Sequence, residues 1–159
     1  MSADNRPDVG DAFPDIAMTR SDGENVSIAD FKGQKAVVFF YPKASTPGCT
    51  TEAKDFSALL PEFAKAGVAV LGASKDSLKR QQNFIDKQEL TVPIASDAEE
   101  DGLTDALGVW TEKKNYGRTY MGIERSTFLI DADGKIAQVW RKVRVKDHAA
   151  KVLEAAKAL

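Results

Sequence analysis

Pro42, Thr46, Gly48 and Cys49 fall within one short segment, Pro42-Lys43-Ala44-Ser45-Thr46-Pro47-Gly48-Cys49-Thr50-Thr51-Glu52, and their types can build a nucleophile beside a small polar substrate. Thr46 suits an N-cap and Pro47 the first helical position, where a missing N–H costs nothing, so Cys49 falls in the first helical turn. Free backbone N–H groups and the positive helix end favour an anion there, which is the setting of a thiolate nucleophile. Gly48 lets a substrate come close to the backbone, the Thr46 hydroxyl can accept from or donate to a substrate oxygen, and Pro42 would fold the loop back over the pocket. A small hydrophobe buried at a helix start has the same sequence signature, and the residues alone leave both readings open.

The elements that must position this segment can be read from periodicity. Lys35 to Tyr41 is an apolar run rich in β-branched and aromatic residues and ended by Pro42, as expected of a buried central strand. Phe56, Leu60, Phe63 and Ala64 then recur at helical spacing until Gly67, and Val68 to Ala73 is a second buried strand. Strand, helix and strand make a right-handed βαβ unit with parallel strands, which places the 42–48 loop at the carboxyl end of the first strand.

Upstream, IAMTR and NVSIADF flank an Asp22-Gly23 turn and predict an N-terminal β-hairpin, while residues 1–11 read as a loose arm. Downstream, the pattern predicts a helix over 76–88, a strand over 92–95 and a short helix over 99–107. A hairpin about Asp131-Ala132-Asp133-Gly134 and a terminal helix over 146–159 complete the chain. The whole is an α/β protein, expected as one domain over 1–159, with a mixed central sheet flanked by helices.

The spacing Pro42-x-x-x-Thr46-x-x-Cys49 resembles the active-site signature of peroxiredoxins, and FYPKASTPGCTTEAKDF is similar to the bacterioferritin comigratory protein subfamily. YMGIERSTFLID with the following DGKI resembles a later segment of the same subfamily, and the order of elements agrees over nearly the whole chain. The resemblance implies a thioredoxin-like fold, thiol-dependent reduction of hydrogen peroxide and organic hydroperoxides, and no metal or organic cofactor. It assigns Cys49 as the peroxidatic cysteine, Thr46 and Pro42 as peroxide-positioning and loop-shaping residues, and Arg125 as the arginine that stabilises charge on the departing oxygen. Glu52 is placed behind these residues, where it can orient the site or simply stabilise the helix end.

Many relatives carry a resolving cysteine where Lys54 stands here, and others carry one near Phe84-Ile85, yet Cys49 is the sole cysteine of the chain. A one-cysteine enzyme is implied, a monomer or weak homodimer. Its sulfenic acid would need an external thiol: glutathione, a glutaredoxin, thioredoxin or a second copy of the chain. The alternative is a redox-sensing or interaction module of the same fold that signals through oxidation of Cys49.

Composition excludes other classes. With 159 residues, 43% hydrophobic and 29% charged, the chain can bury a core without disulfides or a structural metal. Lys+Arg of 22 against Asp+Glu of 24 gives no basic field for nucleic acid. The N-terminus, MSADNRPDVGD, lacks a signal-peptide core and no apolar run reaches membrane-spanning length, so a soluble cytoplasmic protein is expected.

Among other candidates, His148 reads as a surface histidine rather than half of a Cys/His dyad. Asp97, Glu99, Glu100 and Asp101 read as a solvated helix start rather than a metal site. Arg141 to Lys146 reads as an exposed edge strand, and Trp110, Tyr116 and Tyr120 as core or rim packing rather than a pocket mouth.

Overall fold

A computed structural model describes residues 6–98 and 102–159. Met18–Arg20 (β1) and Asn25–Val26 (β2) form the N-terminal hairpin about the Asp-Gly turn, followed by Lys35–Phe40 (β3), Pro47–Lys65 (α1) and Val68–Ser74 (β4). Then come Leu78–Gln88 (α2), Ile94–Ser96 (β5), Leu103–Ala106 (α3), Trp110–Asn115 (β6) and Arg118–Ile123 (β7). Ser126–Ile130 (β8), Ile136–Trp140 (β9) and His148–Ala158 (α4) complete the order. One sheet of seven strands runs β2-β1-β5-β4-β3-β8-β9, with β3, β4 and β5 parallel and the other neighbours antiparallel.

The near-continuous apolar run of β3 follows from burial on both faces. Val37 and Phe39 pack with Phe56 and Phe63 of α1, Phe84 of α2 and Val152 of α4, whereas Ala36, Val38 and Phe40 face Phe13, Leu103 and Phe128. Phe39 and Phe56 stack with centroids 4.3 Å apart, locking α1 onto the strand that precedes it. Gly72 of β4 makes room for this stack, because a Cβ there would lie 2.6 Å from the Phe39 ring. Pro61 within α1 cannot donate to the Ser57 carbonyl, which instead accepts from Thr91 Oγ1 at 3.3 Å.

Several expectations are corrected. His148 is not at the surface: it is 5% exposed, with Nε2 2.8 Å from Thr127 Oγ1 and the ring edge-on to Phe56 and Trp140, because α4 packs against α1. Asp97 is 2% exposed rather than solvated, and it accepts from the Leu103 and Thr104 backbone N–H groups at 3.1 and 2.7 Å, capping α3. Glu99, Glu100 and Asp101, like residues 1–5, lie outside the described residues.

Arg141 to Lys146 is not a strand. The sheet ends at Trp140, and Lys142 turns the chain with a φ of 51°. Residues 6–11 are tied down rather than loose, since the Gly10 N–H donates to the Ile136 carbonyl at 2.8 Å and Arg6 pairs with Glu124 at 3.2 Å. Trp110 to Ile123 forms a two-stranded hairpin beyond the elements that periodicity predicts. Its turn takes positive φ at Tyr116 and Gly117, the primed-turn geometry, and leaves Tyr116 98% exposed instead of packed.

Burial, with Arg125 and Lys151 adding repulsion, lowers the His148 pKa to about 4 from its ordinary 6.5. The unfolded chain therefore takes up a proton before the fold does, so this stability is complete above pH 6.5 and is lost as pH falls through about 4. Urea melts across this range should show wild type losing about 1–3 kcal/mol more than His148→Gln. Parallel profiles for the two proteins would refute the assignment.

Candidate active site

The loop between β3 and α1 is shaped before any side chain reaches substrate. Ser45 takes a left-handed φ of 67°, and the Ala44 N–H donates to Asp76 Oδ2 at 2.7 Å. Asp76 lies just past the end of β4, beside the loop because β3 and β4 are parallel neighbours. Ser74 Oγ donates to the same oxygen at 2.8 Å. Sequence reading missed Asp76; the signal was its place at the carboxyl end of the strand adjoining β3.

Thr46 occupies the N-cap position and Pro47 opens the helix, as predicted, but the Thr46 side chain does not cap. Its hydroxyl donates to the Lys43 carbonyl at 2.8 Å, which commits the proton and leaves the oxygen free to accept. The Gly48 and Cys49 N–H groups have no acceptor among the described residues, as expected of a first helical turn. Cys49 is 1% exposed, set against the core below it.

Arg125 precedes β8, which pairs with β3, and so arrives over the same end of the sheet. Its Nη2 donates to Cys49 Sγ at 3.3 Å and its Nη1 to Glu52 Oε1 at 2.6 Å. Burial opposes the Arg125 charge, but Glu52 and Cys49 outweigh it and the pKa is raised. A Cβ on Gly48 would lie 3.2 Å from Nη2, so the absent side chain gives the guanidinium its place.

Glu52 is far more than a helix-end charge. It is 1% exposed, and its Oε2 has no hydrogen-bond partner among the described residues. Burial raises its pKa to about 7 against the pull of Arg125, with Asp55 adding to the rise. Pro42, half-buried, borders an open depression of about 480 Å³ shared with Thr111, Lys113, Arg125, Lys142 and Val143.

The structure thus joins Cys49, Arg125, Glu52 and Gly48 by direct geometry, and sets Thr46 at the cap of the same helix and Pro42 beside Arg125. A sulfur nucleophile, a fixed cation, two free N–H donors and one hydroxyl acceptor can bind a small molecule with a polar O–H and develop negative charge safely on its oxygen. His148 takes no part in this set, since its ring nitrogen Nε2 is hydrogen-bonded to Thr127 Oγ1 instead.

The AhpC/TSA family profile matches residues 9–139. Peroxiredoxin Bcp of Xanthomonas campestris pv. campestris is 49% identical over 144 residues, covering 91% of this chain and 89% of the relative. Peroxiredoxin Bcp of Bacillus subtilis is 45% identical over 150 residues, covering 94% and 95%. Among solved structures, a cysteine mutant of PrxQ from Xylella fastidiosa superposes with a TM-score of 0.90 at 38% identity, covering 97% of this chain and 98% of that one. A structure concerned with the alkyl peroxide reduction activity of the Xanthomonas campestris bacterioferritin comigratory protein gives 0.85 at 46% identity, covering 93% and 98%.

The raised Glu52 pKa has a sign that can be measured. The fold holds this proton more tightly than the unfolded chain, so the contribution is complete below 4.5 and is lost as pH rises through about 7. Between about pH 5 and about pH 8, wild type should therefore lose more stability to urea than Glu52→Gln, by more than about 1 kcal/mol. Equal losses would remove the buried carboxyl from the account.

Proposed function

The chain belongs to the AhpC/TSA family and is a peroxiredoxin, a thiol-dependent peroxidase, and on that premise we propose that Cys49 carries the reaction on hydrogen peroxide and organic hydroperoxides. The single observation that carries this reading is the Arg125 N–H aimed at Cys49 Sγ from 3.3 Å, with the same guanidinium anchored on Glu52.

The hydroperoxide enters with its O–H donating to the Thr46 oxygen, which is free to accept because the Thr46 proton is engaged by Lys43. The Cys49 thiolate attacks the terminal peroxide oxygen, the S–O bond forms, and the O–O bond breaks. Negative charge on the departing oxygen is met by Arg125 and by the free N–H of Cys49, donors fixed before the reaction begins. That oxygen leaves as water or an alcohol after taking a proton, and Cys49 remains as a sulfenic acid.

The return step requires a thiol from outside, because the sequence offers no second cysteine. Thioredoxin, a glutaredoxin and glutathione all fit this requirement chemically. The cycle draws on no metal or organic cofactor: sulfur supplies the nucleophile and the external thiol supplies the electrons. A reducing compartment suits a peroxidase built on one free thiol, which supports a cytoplasmic setting. No helix among the described residues is long and apolar enough to cross a membrane.

Peroxide consumption with dithiothreitol as reductant tests the assignment. Cys49→Ser should abolish turnover, and Arg125→Ala should lower the rate of Cys49 oxidation on the order of 100-fold, the cost of one preorganised charge contact. Undiminished turnover by the serine variant would sink the mechanism, and an unchanged rate for the alanine variant would reject the role of Arg125.

A further inference from the structure

The thiol that restores Cys49 must bind within reach of the sulfur, and the peroxide pocket itself offers only an open depression. A larger cleft of about 670 Å³ lies next to it, where β9 gives way to the 141–147 loop and the start of α4. Lys142, Arg144, Lys146 and Lys151 line this cleft, are all exposed, and make no ion pair with any described residue. Asp147 is the only acid in its lining and Trp140 gives it an apolar wall. Unpaired cations converging on one concavity repel each other and raise the local concentration of anions.

The cleft adjoins the depression over Arg125, with Lys142 and Val143 lining both. The Val143 N–H also donates to the Arg125 carbonyl at 3.0 Å, so the loop that carries the cations is fixed to the residue that holds the sulfur.

We propose that this cleft binds the reductant, and that the reductant is a small thiol bearing carboxylates, of the glutathione type. The inference rests on the peroxidase reading above and names the partner of that same site. The cationic lining holds the carboxylates and also favours the thiolate of the incoming thiol. That thiolate attacks the sulfur of the Cys49 sulfenic acid; an S–S bond forms, the S–O bond breaks, and the oxygen leaves as water with the proton the thiol gave up. A second thiolate attacks the ligand sulfur, the mixed disulfide breaks, and its electron pair returns to Cys49 as the thiolate. Cys49 is reduced and the two small thiols are oxidised to their disulfide. A concave site with separate cations suits a small polyanion better than the broad face of a reductant protein.

The test uses the triple variant Arg144→Ala, Lys146→Ala, Lys151→Ala, none of which touches the peroxide site. Oxidation of Cys49 by hydrogen peroxide and its recovery with uncharged dithiothreitol should match wild type. Recovery with glutathione should slow by about tenfold, the loss of three exposed charge contacts, and the charge-preserving pair Lys146→Arg, Lys151→Arg should retain the wild-type rate. Titration with S-methylglutathione, which cannot react, should give binding to wild type and about tenfold weaker binding to the triple variant. Equal glutathione rates in the two proteins, or no binding of S-methylglutathione by wild type, would overturn the proposal. Faster recovery with thioredoxin than with glutathione would overturn it in favour of a protein partner. Failure of Cys49 to react with peroxide would instead sink the peroxidase reading at the first step, and the titration would still judge the cleft.

Discussion

One guanidinium holds the site together. Arg125 touches Cys49 with one nitrogen and Glu52 with another, and so joins the start of α1 to the strand that enters the sheet from the far end of the sequence. Everything near it is arranged for that bridge. β8 lies beside β3 so that Arg125 reaches the loop leaving β3, Gly48 has no side chain to displace Nη2, and Val143 holds the Arg125 carbonyl. The bridge also explains why a carboxyl is tolerated at 1% exposure: a buried charge requires a partner of good geometry, and a 2.6 Å contact supplies one.

The partnership is unequal. Arg125 gives Glu52 one bonded oxygen, and the other is left in the core without a partner among the described residues. Desolvation therefore outweighs the ion pair in setting the carboxyl's protonation, which brings Glu52 into titration near neutrality. A site that must hold a cation firmly is thus anchored on a group able to gain or lose a proton under working conditions.

Much of this was legible in the sequence, and the exceptions share a cause. The βαβ unit, the helix start at Pro47 and the N-terminal hairpin are local, and periodicity with Pro and Gly punctuation is enough to place them. Cys49, Thr46 and Arg125 were legible as candidates through resemblance, because their motif is short and specific. Glu52 was underrated and His148 misplaced because burial is decided by what packs over a residue, here Arg125 for one and Phe56 with Trp140 for the other. Asp97 and Asp76 bind backbone N–H groups 6 and 32 residues away, contacts with no signature in the neighbouring residues. The 110–123 hairpin escaped notice because it alternates without an apolar face and ends in a Tyr-Gly turn rather than a familiar Asn-Gly or Asp-Gly pair.

The separation of Cys49 from Arg125, 76 positions along the chain, bears on how the protein is made. A growing polypeptide exposes its only thiol well before the segment carrying the arginine has been synthesised, and contacts this distant form late because the intervening loop must first be closed. Through that interval the sulfur has neither the cation nor the closed sheet about it. The setting that Arg125 gives the sulfur is then acquired only once β8 has joined the sheet, and an unfinished chain carries the thiol without it.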